Sequence, residues 1–113
     1  MAEDRDTLYM AGLSALGQMD FDAAIASLDK AVEQDPNDVE LLLALSMAHS
    51  KRGDQDKAIE IATRAAELDP EDPFPHTNLS MFYQKKGMTE IAEKHSAIVT
   101  QLNVEAQKRA TPG

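Results

Sequence analysis

Three histidines, His49, His76 and His95, are the side chains best suited to proton transfer or metal binding. They lie 27 and 19 positions apart, and none belongs to a His-Glu-x-x-His segment, which places two zinc ligands on one helix face. The sequence also lacks a glycine-rich phosphate loop and a dinucleotide-binding fingerprint. The scattered histidines therefore favour a role in packing. We predict no catalytic site, no metal site and no cofactor, so the chain is not expected to be an enzyme.

Two acidic segments, Asp35–Asp38 and Asp69–Asp72, are the other candidates for metal binding. A calcium loop needs alternating oxygen ligands around a glycine, and neither segment has that pattern. Each begins with Asp-Pro, and proline ends a helix because it lacks an amide donor and restricts the residue before it. We interpret both segments as helix caps and solvated turns.

Two basic pairs, Lys51-Arg52 and Lys85-Lys86, lie 34 positions apart near the predicted ends of two helices. One interpretation is that they offset the negative helix ends, an effect of about 0.3 to 1 kcal/mol for each exposed cation. The other is that they hold an acidic residue that flanks the apolar part of a ligand. Both interpretations remain open at this point.

Length, composition and charge limit the classes of function. The 113 residues suit one domain, and the absence of cysteine excludes disulfides and thiol catalysis. The formal charge of −9 disfavours nucleic acids and anionic membrane surfaces as partners. The start of the chain carries acids where a secretory signal would carry basic and apolar residues, and no stretch is long enough to span a bilayer. We therefore expect a cytoplasmic protein.

The elements that position these residues are predicted by a repeat of 34 positions. This step relates Pro36 to Pro70, and it relates Ala24 to Ala58 and Ala92. Such a period is typical of stacked helical units, and the composition favours helices over strands. We predict an all-α fold of six helices: Asp4 to about Gly17, Phe21 to about Gln34, Asn37 to about Lys51, Gln55 to Leu68, Pro73 to about Lys86, and Thr89 to about Arg109. Asn37 and Asp72 are the predicted N-caps of the third and fifth helices. Gly17 and Asp20 are expected to form the first turn.

These residues resemble the tetratricopeptide repeat family. Signature positions of its units are matched by Leu8, Gly12, Ala24, Leu28, Ala31 and Pro36, then by Leu42, Leu45, Ser46, Ala58, Ala62, Ala65 and Pro70, and more loosely by Leu79, Ser80, Tyr83, Ala92 and Val99. The resemblance implies one domain over residues 1–113, a right-handed superhelix of three helix-turn-helix units at about 5–38, 39–72 and 73–106. Its last helix is extended, and residues 107–113 form a tail that frays. It also implies a scaffold for protein–protein interaction.

In this family the first helices of successive units line a concave groove. The resemblance assigns that role here to Tyr9, Met10, Leu13, Leu43, Met47, Phe74, Thr77, Asn78 and Met81, with Lys51, Arg52, Lys85 and Lys86 as a basic edge of the groove. Methionine adapts to varied shapes, so its three copies favour a binding surface for an apolar helix or peptide. The alternative is that these methionines fill gaps between helices.

One branch of the family holds the C-terminal carboxylates of chaperones with a cluster of Lys, Arg and Asn. The matching positions here are Tyr9, Leu13, Ala44, Phe74 and Asn78, and only Asn78 is polar. Recognition of a carboxylate needs charged donors that these residues lack. We therefore expect a groove without a carboxylate clamp and without co-chaperone activity.

The last helix suggests a second kind of partner. A stack of repeats normally ends in a polar surface, because no further unit covers it. Here an apolar stripe at helical spacing consists of Ile91, His95, Ile98 and Leu102. The alternative function is therefore a homo-oligomeric assembly module that pairs through this stripe, the simplest product being a homodimer.

Overall fold

The structure is a computed structural model that describes residues 3–111, and these residues form six α-helices and no strand. The predicted all-α class is confirmed. The helices are α1 (Arg5–Gly17), α2 (Phe21–Gln34), α3 (Val39–Arg52), α4 (Gln55–Leu68), α5 (Phe74–Lys85) and α6 (Thr89–Ala110).

The first four helices begin at aspartates whose carboxylates accept a hydrogen bond from the amide three residues further on. Asp4 caps α1, Asp20 caps α2 and Asp54 caps α4, at distances of 2.8, 3.1 and 3.1 Å. The expected cap of α3 was Asn37, and this is wrong: Asp38 accepts from the amide of Leu41 at 3.2 Å. An aspartate in this position satisfies an orphan amide and also places negative charge at the positive helix end.

The turn inside each unit contains one residue in the left-handed region of backbone space. Gly53 and Gly87 occupy it in the second and third units, with φ of 105° and 78°. The residue 34 positions before Gly53 is Met19, with φ of 61°, whereas Gly17 is the last residue of α1. The sequence led us to Gly17 as the first turn's glycine, but the repeat position that needs left-handed backbone is Met19.

The last two helices depart slightly from their expected bounds. The predicted N-cap of α5, Asp72, is wrong by one position: the helix begins at Phe74 and Pro73 is its N-cap, without a side-chain cap hydrogen bond. Asp72 instead accepts from the amide of Phe74 at 2.9 Å. The helix α6 extends to Ala110, so residues 107–110 of the expected frayed tail are helical. Pro112 and Gly113 lie outside the described residues.

The curvature of the stack follows from which helices touch. Each helix packs on the next along the chain, and the first helices of neighbouring units also contact each other, α1 with α3 and α3 with α5. Over residues 3–111, the second helices α2, α4 and α6 do not pack on one another. Since the first helices are closer together than the second helices, α1, α3 and α5 line the inner, concave side.

The core consists of three clusters of buried residues and depends on small residues at the helix crossings. Ala24, Ala58 and Ala92 are fully buried. A Cβ placed on Gly12 would lie 2.6 Å from Cγ of Leu28, so α1 and α2 approach each other at a distance that only glycine permits. No helix in the described part of the chain is long and apolar enough to cross a membrane.

Candidate protein-binding surface

Some of the predicted groove residues on the inner helices α1 and α5 are exposed apolar side chains. Met10 is 63% exposed and Phe74 is 67% exposed. Leu13 is also exposed, and so is the polar Thr77. The other predicted groove residues are half-buried: Tyr9, Leu43, Met47, Asn78 and Met81.

The three methionines of the predicted groove have different environments. Met47 and Met81 pack against the core cluster around Leu79 and Phe82. Met10 has no such core role and projects into solvent. The gap-filling alternative therefore describes the contacts of two of the methionines, and the solvent-exposed apolar surface depends on Met10, Leu13 and Phe74.

Arg5 organises the edge of the groove where α1 and α3 begin. Its guanidinium donates to the carboxylates of Asp6, Asp38 and Glu40 at 3.0, 3.0 and 2.7 Å. It also lies 4.8 Å from the centre of the Tyr9 ring, within range of a cation–π interaction. The hydrogen bond with Glu40 is the main cause that raises the pKa of Arg5, and burial raises the pKa of the Tyr9 hydroxyl.

Arg5 was not among the residues predicted from the sequence. The positions 34 and 68 residues further on are Val39 and Pro73, so Arg5 has no counterpart in the other units and a search for periodicity does not find it. The available signal was the group of acids at positions 6, 38 and 40, which the repeat register places at the starts of adjacent helices.

The predicted basic edge divides into two kinds of cation. Arg52 pairs with Asp22 at 3.1 Å, and Lys86 pairs with Asp56, so these two bind acids on the second helix of the preceding unit. Lys85 donates to the hydroxyl of Ser50 at 3.3 Å, and Lys51 is exposed. Of the four predicted edge cations, Lys51 and Lys85 are therefore the two without a carboxylate contact among residues 3–111.

The candidate dimer stripe is divided by the packing of α6. His95 points toward α5, where it contacts His76 and Tyr83, while Ile91 and Leu102 are half-buried. Ile98 is 37% exposed. Beyond the stripe, Val104 is 40% exposed on the part of α6 that exceeds the length of α2 and α4.

The histidines are not scattered in space as the sequence suggested. Nδ1 of His76 lies 2.9 Å from Nδ1 of His95, and the ring centroids are 5.2 Å apart with planes inclined by 24°. The Tyr83 ring is nearly parallel to that of His95, with centroids 5.6 Å apart. Burial lowers the pKa of both imidazoles; His76 lowers that of His95 further, whereas Asp72 acts in the opposite direction on His76.

His49 has a different environment. Its Nδ1 is buried and has no hydrogen-bond partner within residues 3–111. Burial is the largest cause that lowers the pKa of this imidazole, against the opposing charges of Asp29 and Asp54. His49 therefore makes no side-chain hydrogen bond through Nδ1 within the described residues and is separate from the pair formed by His76 and His95.

Comparison with known proteins identifies the architecture. A structure described as MamA MSR-1 C2 matches with a TM-score of 0.82 and 23% identity over 91% of this chain and 59% of that one. A second, described as a crystal structure of MamA, gives a TM-score of 0.86 and 20% identity over 93% of this chain and 61% of that one. At these identities the likeness concerns the fold alone, and the chain spans about three fifths of these two proteins.

The comparison of sequences adds the family. No curated protein matches the chain. A family model described as a tetratricopeptide repeat matches residues 9–73, which is more than half of the 113 residues. The period of 34 positions, the paired helices and the inner position of the first helices all agree with this match. The chain belongs to the tetratricopeptide repeat family.

Proposed function

We propose that this protein is an interaction scaffold whose concave surface binds an apolar helix or extended segment of a partner protein. The observation that supports this most directly is the exposure of Met10, Leu13 and Phe74 on the inner helices α1 and α5. Apolar side chains gathered on one surface lose contact with water when a ligand covers them, at about 25 cal/mol for each Å² of apolar area. Membership of the tetratricopeptide repeat family supports a protein as the partner. We also propose that the protein is cytoplasmic, as expected from the sequence.

The two edges of the surface differ in charge, and this difference restricts the charge pattern of the partner segment. Asp6 and Glu40 lie at the edge where the first helices begin, together with Arg5. Lys51 and Lys85 lie near the opposite edge, where α3 and α5 end. A segment with an apolar centre and an acidic flank facing the two lysines fits this pattern, since opposite charges select orientation and increase the rate of association.

The test uses exposed positions, so that a loss of binding does not simply report unfolding. Met10→Lys and Phe74→Lys place a charge at two predicted groove positions, and Met19→Lys is the matched control, because it adds the same charge at a residue that is 74% exposed and lies in the turn between α1 and α2. In a pull-down from native extract, we expect one specific protein to be retained by the wild type and the control and lost by the Met10→Lys and Phe74→Lys variants. Retention of the same proteins by all four chains would contradict the proposal.

Self-association through α6 is a second candidate function. It is favoured by the exposure of Ile98 and Val104 on a 22-residue helix whose only helix partner in the described region is α5. We expect light scattering at increasing concentration to show a dimer that Ile98→Lys converts to a monomer. A monomeric mass for the wild type at high concentration would exclude this candidate and leave the concave surface as the binding site.

A further inference from the structure

The outer side of the molecule contains two equivalent clefts, because the second helices diverge. The first has a volume of about 590 Å³, lies between α2 and α4, and has Leu42, Leu45 and Ile61 among its lining residues. The second, of about 480 Å³, lies one repeat later. The residues 34 positions further on line it: His76, Leu79 and His95.

Comparing equivalent positions of the two clefts shows which residues the packing of the repeats requires. In the first cleft the two positions are Leu42 and Ile61, which are buried at 3% and 8% exposure as part of one core cluster. Packing between units is thus achieved with aliphatic side chains. The second cleft replaces both with imidazoles, which adds two nitrogen ligands at a place where the fold does not need them.

The two imidazoles face each other. A neutral pair with Nδ1 atoms 2.9 Å apart shares one proton, so one ring donates and the other accepts. The centroid separation of 5.2 Å and the small angle between the planes show that the rings meet edge to edge. The two Nδ1 atoms therefore point at each other, and each ring must turn by roughly 35° before both nitrogens face a tetrahedral ion in the adjoining cleft.

We propose that His76 and His95 form a binding site for a divalent transition-metal ion of the class that prefers imidazole ligands, such as Zn²⁺. With zinc–nitrogen bonds of 2.0 to 2.1 Å, two nitrogens in a tetrahedral shell are about 3.3 Å apart. The present separation is 2.9 Å, so the rings need to move apart by only about 0.4 Å.

The surroundings of the pair favour a cation. Glu67 lines the same cleft, and within the described ranges no lysine or arginine does. Asp72 adds a negative charge that acts on His76. For both Nδ1 atoms to bind an ion, the ring that donates in the hydrogen bond must carry its proton on Nε2 instead, which leaves one lone pair on each Nδ1.

The site is open on one side. Residues 3–111 contain no group of three or more His, Asp or Glu side chains arranged to hold a metal ion. Water therefore completes the shell, and the affinity is lower than that of a structural zinc site with four protein ligands. An ion held in this way leaves positions free for exchange.

The test is a titration of the untagged full chain with ZnCl₂ by calorimetry. The variants His76→Leu and His95→Ile carry the residues of the first cleft and should fold, and His49→Leu is the matched control. We expect one Zn²⁺ per chain for the wild type and the control. Each of the other two variants should bind at least about tenfold more weakly, since removing even an outer-shell partner of a metal costs about 10 to 100-fold.

A second measurement keeps the proposal testable if a variant fails to fold. In the NMR spectrum of the wild type, ZnCl₂ should shift the imidazole signals of His76 and His95 and leave those of His49 in place. Absence of binding, or equal binding by all four chains, or shifts confined to His49, would overturn the proposal.

Discussion

Nε of Arg52 lies 3.1 Å from a carboxylate oxygen of Asp22, and Lys86 pairs with Asp56 one repeat later. Each pair joins the end of a first helix to the start of the second helix in the preceding unit. The pairs therefore recur with the same period as the fold, and each connects two neighbouring units. Both acids are more than four fifths exposed, so solvent screens the pairs strongly.

We expect the Asp22–Arg52 pair to contribute little to stability. A double-mutant cycle with Asp22→Asn and Arg52→Gln should give a coupling free energy of about 0.2 to 1 kcal/mol in urea unfolding. The coupling should fall further at high salt, because exposed charges are screened. A coupling well above this range that persists at high salt would show that the pair is an important structural link.

The close approach of α1 and α2 predicts an effect of a single methyl group. Gly12→Ala should lower the free energy of unfolding, because the added Cβ meets Leu28 Cγ at 2.6 Å and overpacking costs about 1 to 3 kcal/mol. This exceeds the gain of about 1 kcal/mol in helix propensity. Gly17→Ala is the control, since its Cβ would meet nothing within 4 Å, and it should be neutral or stabilising. Equal effects in thermal unfolding would contradict this account of the crossing.

The first turn predicts a stabilising substitution. Met19 adopts φ of 61°, where a side chain costs roughly 1 to 2 kcal/mol, and the same position in the other units is glycine. Met19→Gly should raise the free energy of unfolding by up to about 1 kcal/mol, after the entropy lost by glycine is subtracted. Denaturant unfolding measures this directly, and a destabilised Met19→Gly chain would show that the methionine side chain has a packing role.

The histidines predict a loss of stability in mild acid. The folded-state pKa values of His49, His76 and His95 lie below the ordinary value of 6.5, so the unfolded chain binds more protons as the pH falls through 6.5. The contribution of the three imidazoles to the free energy of unfolding is complete above pH 6.5 and is lost as the pH drops toward their folded-state pKa values. Lower pH also relieves the repulsion within a chain of net charge −9, so the histidine effect is measured as a difference between variants.

The comparison is between the wild type and the His76→Leu, His95→Ile double variant. In urea unfolding at pH 7.5, 6.5 and 5.5, the wild type should lose more stability than the variant on acidification. The variant retains His49, so it should still show the part of the pH-dependent loss of stability that His49 causes. Identical pH profiles for the two chains would contradict the prediction, because they would show that protonation of His76 and His95 does not change the free energy of unfolding.

The sequence by itself determined the helices and their phase. Pro36 and Pro70, with the buried alanines spaced 34 positions apart, predicted six helices in pairs, and α2 and α4 begin and end where they were expected. Local chemistry is sufficient for this, because caps, prolines and apolar spacing act within one or two helical turns. The predicted placement of Met10, Leu13 and Phe74 on the concave side rests on the same register.

Only the tertiary structure decided which side chains meet across helices. Arg5 reaches Asp38 and Glu40, more than 30 positions away, and His76 meets His95 between α5 and α6. In the tertiary structure, Met47 and Met81 pack against the core, whereas Met10 is exposed to solvent. A repeat pattern gives the direction of a residue on its own helix. The crossing angle and spacing of neighbouring helices, which the packing of the whole stack sets, determine the atoms that this residue contacts.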